Sequence, residues 1–170
     1  MLSNASILVI DDEEDIRLSL RGIFEDEGCQ VAEARDGSEG LSAALDGDFD
    51  LVFLDIWMPG MDGLSVLRTL REKGVDIPVV MISGHGNVET AVTALKDGAF
   101  DFIEKPLSLE NILVTAEKAL ELSQLKRENR ELRSRVQPES DTHIVGTSPQ
   151  VVRLRELIAQ VGPSDAWVLI

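Results

Sequence analysis

The chain has 170 residues, 44% of them hydrophobic, which allows one ordinary domain with a packed core and something extra. Its formal charge is −15; residues 1–121 hold 25 acidic and 9 basic side chains, and that net of −16 repels a nucleic-acid backbone. No apolar run approaches the roughly 18–20 residues that span a bilayer. Met1 to Ser6 lack a secretion signal's basic-then-apolar order and the single cysteine has no internal partner, so a cytoplasmic chain is expected.

Ile7-Leu8-Val9-Ile10 is a continuous apolar run that ends in Asp11-Asp12, the pattern of a strand buried on both faces. Ile16, Leu20, Ile23 and Phe24 follow at helical spacing, with Gly28 as C-cap. Cys29 to Ala34 reads as a second strand, with Cys29 as core packing, and Leu41, Ala44 and Leu45 mark a second helix. Leu51 to Leu54 form a third buried strand that ends in Asp55, and Leu64, Val66, Leu67 and Leu70 a third helix. Val79 to Ile82 form a fourth strand that ends in Ser83; Val88, Ala91, Val92 and Leu95 mark a fourth helix. Phe100 to Ile103 is the fifth strand, and a fifth helix starts after Ser108.

Five apolar strands, each followed by a helix, predict an α/β fold: a five-stranded, doubly wound parallel sheet covered on both faces. Ligands of such sheets bind beyond the carboxyl ends of the strands. The residues at four of those ends are Asp11-Asp12, Asp55, Ser83 and Lys105.

The fifth helix runs on. Leu109 to Val136 contain no Gly or Pro. Leu122, Asn129 and Val136 recur every seven residues, with Leu125 and Leu132 between them, as in a short coiled coil whose register Asn129 would fix. Pro138 ends the helix, 137–143 read as a polar linker, and a new segment opens at Ile144. The division is 1–121, 122–143 and 144–170.

Three carboxylates at one sheet edge, Asp11, Asp12 and Asp55, repel one another and raise one another's pKa values unless a cation intervenes. Oxygen ligands select Mg²⁺ or a similar hard ion, which leaves coordination places for phosphoryl oxygens. Lys105 adds a point charge for a phosphoryl oxygen, Ser83 a hydroxyl donor, and an aspartate is itself a phosphoryl nucleophile. Singly each has a plainer use: a strand-end aspartate often only caps a helix, and Ser83 before Gly84 suits a turn.

Ile7 to Asp12 with Glu13, Leu54-Asp55-Ile56-Trp57-Met58-Pro59-Gly60-Met61-Asp62-Gly63, Ile82-Ser83-Gly84 and Glu104-Lys105-Pro106-Leu107 closely resemble the response-regulator receiver domain, over about residues 5–121. The resemblance implies the CheY-like (flavodoxin-like) form of the fold and Asp55 as acceptor of a phosphoryl group from a sensor histidine kinase. It implies Mg²⁺ held directly by Asp12, Asp55 and the Trp57 backbone carbonyl, with Asp11 acting through water. Lys105 would contact the phosphoryl group, Ser83 would move towards it, and Phe102 would swing inward as the coupled switch, where many receivers have Tyr. Trp57 and His85 would flank the phosphoryl site, and Gly60 and Gly63 serve the turn after the third strand.

Ile144-Val145-Gly146-Thr147-Ser148-Pro149, Arg153 to Ile158 and Val168-Leu169-Ile170 resemble the opening of the AAA+ domain of NtrC-type activators, and Ser83 to Asn87 with Phe102 to Pro106 resemble NtrX-like members. This implies a sigma-54-dependent regulator cut off at the start of its ATPase domain. No G-x-x-x-x-G-K-[ST] loop and no helix-turn-helix reader occur, so neither ATP hydrolysis nor specific DNA binding is expected, and the chain is not expected to be an enzyme. The expected function is a phosphorylation-dependent switch that controls homodimerisation through the helix 4–strand 5–helix 5 face, the coiled coil, or both. The alternative is a constitutive dimerisation module with a relic pocket.

Overall fold

The computed structural model describes residue 2, residues 4–84 and residues 88–136, with side chains in the last helix described to Lys126 and at Glu128. The elements in chain order are β1 (Ser6–Ile10), α1 (Glu14–Asp26), β2 (Gln30–Ala34), α2 (Gly37–Asp46) and β3 (Leu51–Asp55). They continue with α3 (Gly63–Glu72), β4 (Val79–Ser83), α4 (Val88–Lys96), β5 (Asp101–Glu104) and α5 (Leu109–Val136). The five strands are all parallel, in the order β2-β1-β3-β4-β5. This is the expected doubly wound sheet, with its topological switch point between β1 and β3.

The continuous apolar runs follow from burial on two faces. Successive side chains alternate across a strand. Ile7 and Val9 of β1, Leu51 and Phe53 of β3, and Val80 and Ile82 of β4 pack with Leu20 and Phe24 of α1 and with Ile112, Ala116 and Ala119 of α5. The intervening Leu8, Ile10, Val52, Leu54, Val79 and Met81 pack with Ala44 of α2, Val66, Leu67 and Leu70 of α3, and Ala94 of α4. The Phe24 and Phe53 rings meet at 5.1 Å between centroids. A side chain of that size contributes on the order of 1.5–3 kcal/mol when fully buried. A polar residue within Ile7–Ile10, Leu51–Leu54 or Val79–Ile82 would spoil one of the two cores.

The helices start where short acceptors stand. Asp36 accepts from the Glu39 N–H at 2.9 Å and Asp62 from the Ser65 N–H at 2.7 Å, each as the N-cap of its helix. Glu27 caps the end of α1, and Gly28 follows it at a φ of +80°, the left-handed turn that favours glycine. β2 begins at Gln30 rather than Cys29, and β5 runs from Asp101 to Glu104, one residue later than its apolar run suggests. Cys29 is buried, as expected, with its thiol 3.1 Å from the Leu2 carbonyl. Burial pushes that thiol's pKa up.

α5 is unbroken for 28 residues, as the missing Gly and Pro suggest. Leu122 and Leu125 are exposed. The side chains of Asn129, Leu132 and Val136, on which the expected pairing turns, lie outside the described residues, as do His85, the linker 137–143 and the segment 144–170. Among the described residues no helix is long and apolar enough to cross a membrane.

The two glycines after β3 have different uses. Gly60 takes a φ of +82° in the turn. Gly63 opens α3 so close to β3 that a Cβ there would strike the Asp55 carbonyl oxygen. Gly63→Ala is therefore expected to force α3 away from the end of β3 and cost about 1–3 kcal/mol, read as a lower urea midpoint at unchanged slope. An unchanged midpoint would show that the approach is not tight.

Candidate functional site

The sheet brings four of the predicted positions to one edge. Asp11 follows β1, Asp55 closes β3, Ser83 closes β4 and Lys105 follows β5. The backbone there is fixed by the ladder: Ile56 donates to the Ile82 carbonyl at 3.0 Å and Lys105 to the Ser83 carbonyl at 2.8 Å. Asp11 and Asp55 thus face each other across the switch point, since Ile10 pairs with Leu54. The Lys105–Pro106 bond is cis.

The Lys105 ammonium is the hub. Its Nζ lies 3.0 Å from Asp11 Oδ2, 3.0 Å from Asp55 Oδ1 and 2.7 Å from Glu13 Oε1. The other oxygens of the two aspartates are held from the backbone. Asp11 Oδ1 accepts from the Glu13 N–H at 2.8 Å, and Asp55 Oδ2 from the Trp57 N–H at 2.7 Å. Arg17 donates to the Asp11 carbonyl at 2.8 Å. Each aspartate thus accepts from the N–H two residues on, a turn contact and not a helix cap: the N-caps of α1 and α3 are Glu13 and Asp62.

Burial dominates the electrostatics. It pushes the Asp11 carboxyl above the usual range, against the Glu13 N–H and Lys105. It pushes Asp55 up as well; the Asp11 charge adds to the rise, while Lys105 and the Trp57 N–H oppose it. Burial also opposes the Lys105 charge, but hydrogen bonds to Glu13, Asp55 and Asp11 outweigh it, and the lysine's pKa is raised. Three carboxylates share one ammonium here, so the set keeps an excess of two negative charges. That excess, carried on oxygen, favours a hard cation over a soft one.

The expected trio of Asp11, Asp12 and Asp55 is only partly gathered. Asp12 is exposed, and among the described residues no three His, Cys, Asp or Glu side chains stand close enough together to hold a metal ion. The third carboxylate at the ammonium is Glu13. Side chains alternate along extended backbone, and Glu13 is extended as the N-cap of α1, so Asp11 and Glu13 fall on one side. Sequence reasoning gave Glu13 no role. The available signal was its spacing of two from Asp11.

Ser83 is fully buried at the end of β4. Phe102 is half-buried and packs against the cluster under α4. Trp57 is 58% exposed beside Asp55, and His85 falls outside the described residues. The site is an open charged edge. A groove of about 460 Å³ between Leu2 and α5 shares no residue with it.

A doubly wound parallel sheet with buried aspartates at its switch point, answered by one lysine, defines an α/β domain with an acidic ligand site at its strand exits. The chain belongs to the response regulator receiver domain family, whose model matches residues 7–117. It is similar to the nitrogen assimilation regulatory protein NtrX of Azorhizobium caulinodans, 45% identical over 166 residues, which cover 96% of this chain and 36% of that protein. It is also similar to the crystal structure of NtrX from Brucella abortus, at a TM-score of 0.71 and 47% identity over 97% of this chain and 36% of that one. The crystal structure of that protein's receiver domain gives 0.64 and 50% identity over 68% of this chain and 98% of the domain. The chain spans about a third of the length of the curated relatives it matches.

Removing the ammonium should expose what it offsets. With a chelator present, Lys105→Met is expected to lose about 3 kcal/mol at pH 8. The raised carboxyl pKa values mean that the folded state binds protons more tightly than the unfolded one, so the penalty exists above those values and fades as pH falls through them. Urea unfolding at pH 8 and pH 5 should show the deficit narrowing in acid. An equal deficit at both would mean that the buried carboxylates are not what Lys105 stabilises.

Proposed function

We propose that this chain is the phosphorylation-dependent switch of a two-component system, with Asp55 as the residue that accepts the phosphoryl group. The observation that carries the reading is the Asp55 carboxylate, its side chain 3% exposed, at the exit of β3 with the Lys105 ammonium 3.0 Å away. An aspartate oxygen is the nucleophile. It forms the new P–O bond as the P–N bond of a sensor kinase's phosphohistidine breaks, and the imidazole, already protonated on its other ring nitrogen, leaves neutral. Lys105 takes charge from the phosphoryl oxygens, which is the main demand of this chemistry. Asp12 and Asp55, with the Trp57 carbonyl, would hold Mg²⁺, and Asp11 would act through water. Bound there, the ion supplies further neutralisation of the phosphoryl oxygens.

Loading adds negative charge beside Ser83, whose strand pairs with β5 and hence with Phe102. In this reading Ser83 and Phe102 rearrange, and the α4–β5–α5 face changes with them. α4 leaves Val88, Val92 and Leu95 exposed, and α5 leaves Leu109, Val114, Leu122 and Leu125 exposed. Exposed apolar side chains on the helices either side of β5 suit a homodimer interface, and the α5 heptads suit pairing further along. The switch would thereby control a cytoplasmic NtrC-type, sigma-54-dependent activator. The chain itself would not be an ATPase or a DNA reader.

Incubation with acetyl phosphate and Mg²⁺ should add one phosphoryl group to the intact mass of the wild type and none to Asp55→Asn. A gain in both would place the acceptor elsewhere; a gain in neither would favour the relic module. Sedimentation of wild type and Val92→Glu, with and without the phosphoryl load, should show a load-dependent change of dimer affinity in the wild type that the variant loses. Identical affinities throughout would sink the link to dimerisation.

A further inference from the structure

Lys105 has three anionic partners, and they are unequal. Asp11 is 0% exposed in its side chain and Asp55 3%, while Glu13 is 61% exposed. Yet the shortest of the three contacts, 2.7 Å, is the one to Glu13. The ammonium donates hydrogen bonds to Asp11 and Glu13 and pairs with Asp55 at 3.0 Å. A phosphoryl oxygen that arrives at Asp55 competes with these carboxylates for it.

The cost of each displacement differs. Releasing Asp11 would leave a buried carboxylate without its cation, which is expensive in low dielectric. Releasing Asp55 would undo the approach of cation to acceptor. Releasing Glu13 hands its carboxylate to water, and an exposed pair of this kind contributes little and is screened by salt. Glu13 is also free to swing: it caps α1 with its backbone alone, and its side chain makes no cap hydrogen bond.

We propose that Glu13 is a releasable latch on Lys105: it holds the ammonium when Asp55 is bare and gives it up when a phosphoryl oxygen takes its place. Glu13 touches neither acceptor nor donor and acts through Lys105, so it is a positioning residue that sets how fast Asp55 is loaded. The inference rests on Asp55 being the phosphoryl acceptor. Loading from acetyl phosphate forms the Asp55 O–P bond, breaks the P–O bond to the acetyl group and releases acetate. The Lys105–Glu13 hydrogen bond is exchanged for one from Lys105 to a phosphoryl oxygen, with no proton lost.

The test is the rate of mass gain from acetyl phosphate at saturating Mg²⁺, for wild type, Glu13→Gln, Glu13→Asp and Asp55→Asn, at low and high ionic strength. Glu13→Gln should load about two- to fivefold faster than wild type at low salt, from the range measured for exposed ion pairs. Salt screens the latch, so the gap should close as ionic strength rises. Glu13→Asp keeps the charge but is one methylene shorter, and it should behave like Glu13→Gln. If Glu13→Asp instead tracks wild type, Glu13 merely repels the incoming anion and the latch is overturned. Equal or slower loading of Glu13→Gln overturns it too. If wild type gains no more mass than Asp55→Asn, the acceptor assignment fails, and the latch fails with it; the Asp55→Asn arm tells that failure from the others.

Discussion

Everything at the functional edge depends on one lysine facing carboxylates that the fold has taken out of water. Asp11 and Asp55 sit where two strands on either side of the switch point end, so each is buried by the same apolar cores that define those strands. Burying one charge is costly and burying two of the same sign is worse. The Lys105 ammonium, delivered from the exit of β5, two strands from β3 and three from β1, makes the arrangement tolerable. It does not neutralise it, because three carboxylates meet one cation there. Such a site remains short of positive charge. Part of the fold's stability is thus held back at its ligand edge, which is where sequence rules are broken for function.

The scaffold was plainly legible. Two-sided burial demands unbroken apolar runs, and three of them, in β1, β3 and β4, carry no polar residue until their last position or the one beyond. The same logic located Asp11, Asp55 and Ser83, since a polar residue that ends such a run marks the sheet's carboxyl edge. Lys105 was found in the same way, although β5 is only half-buried and begins one residue later than its apolar run, at Asp101, whose carboxylate accepts from the Phe102 N–H at 2.8 Å. Less legible was which of three consecutive acids points where. Asp11, Asp12 and Glu13 are chemically alike, and their roles follow from the pleat and the entry into α1 rather than from residue type. That is why Glu13 was given no place at the lysine. Heptads in α5 were visible as a pattern, but spacing within one helix says nothing about whether a second helix meets it.

The opposite edge of the sheet is secured by different means. Arg71, at the end of α3, donates to the Val75 carbonyl at 2.6 Å, the Ile77 carbonyl at 3.0 Å and the Gly98 carbonyl at 3.0 and 3.2 Å. Burial lowers its pKa against the charge of Asp76, and backbone oxygens take its donors. Val75 and Ile77 lead into β4, and Gly98 leads into β5. One guanidinium therefore fixes the entrances of the two strands whose exits carry Ser83 and Lys105. Arg68 adds a 2.7 Å pair to Asp97 at the end of α4, and Lys126 reaches from α5 to Asp76 at 2.8 Å. These last two are exposed and contribute at most about 1 kcal/mol each.

The two edges divide the labour. At the entrances, fixed planar hydrogen bonds to backbone hold β4 and β5 in register and leave no alternative partner to switch to. At the exits, contacts are ionic, shared and unequal in burial, so replacing one anion by another changes which of them are made. A charge added at Asp55 cannot shift the whole sheet, because Arg71 pins its far side through carbonyls that the charge does not reach. It would redistribute the contacts of the exits, and the elements that leave those exits are α1, α3, α4 and α5. Fixed contacts at one edge and exchangeable ones at the other form an arrangement in which a charge added at the exits would act locally.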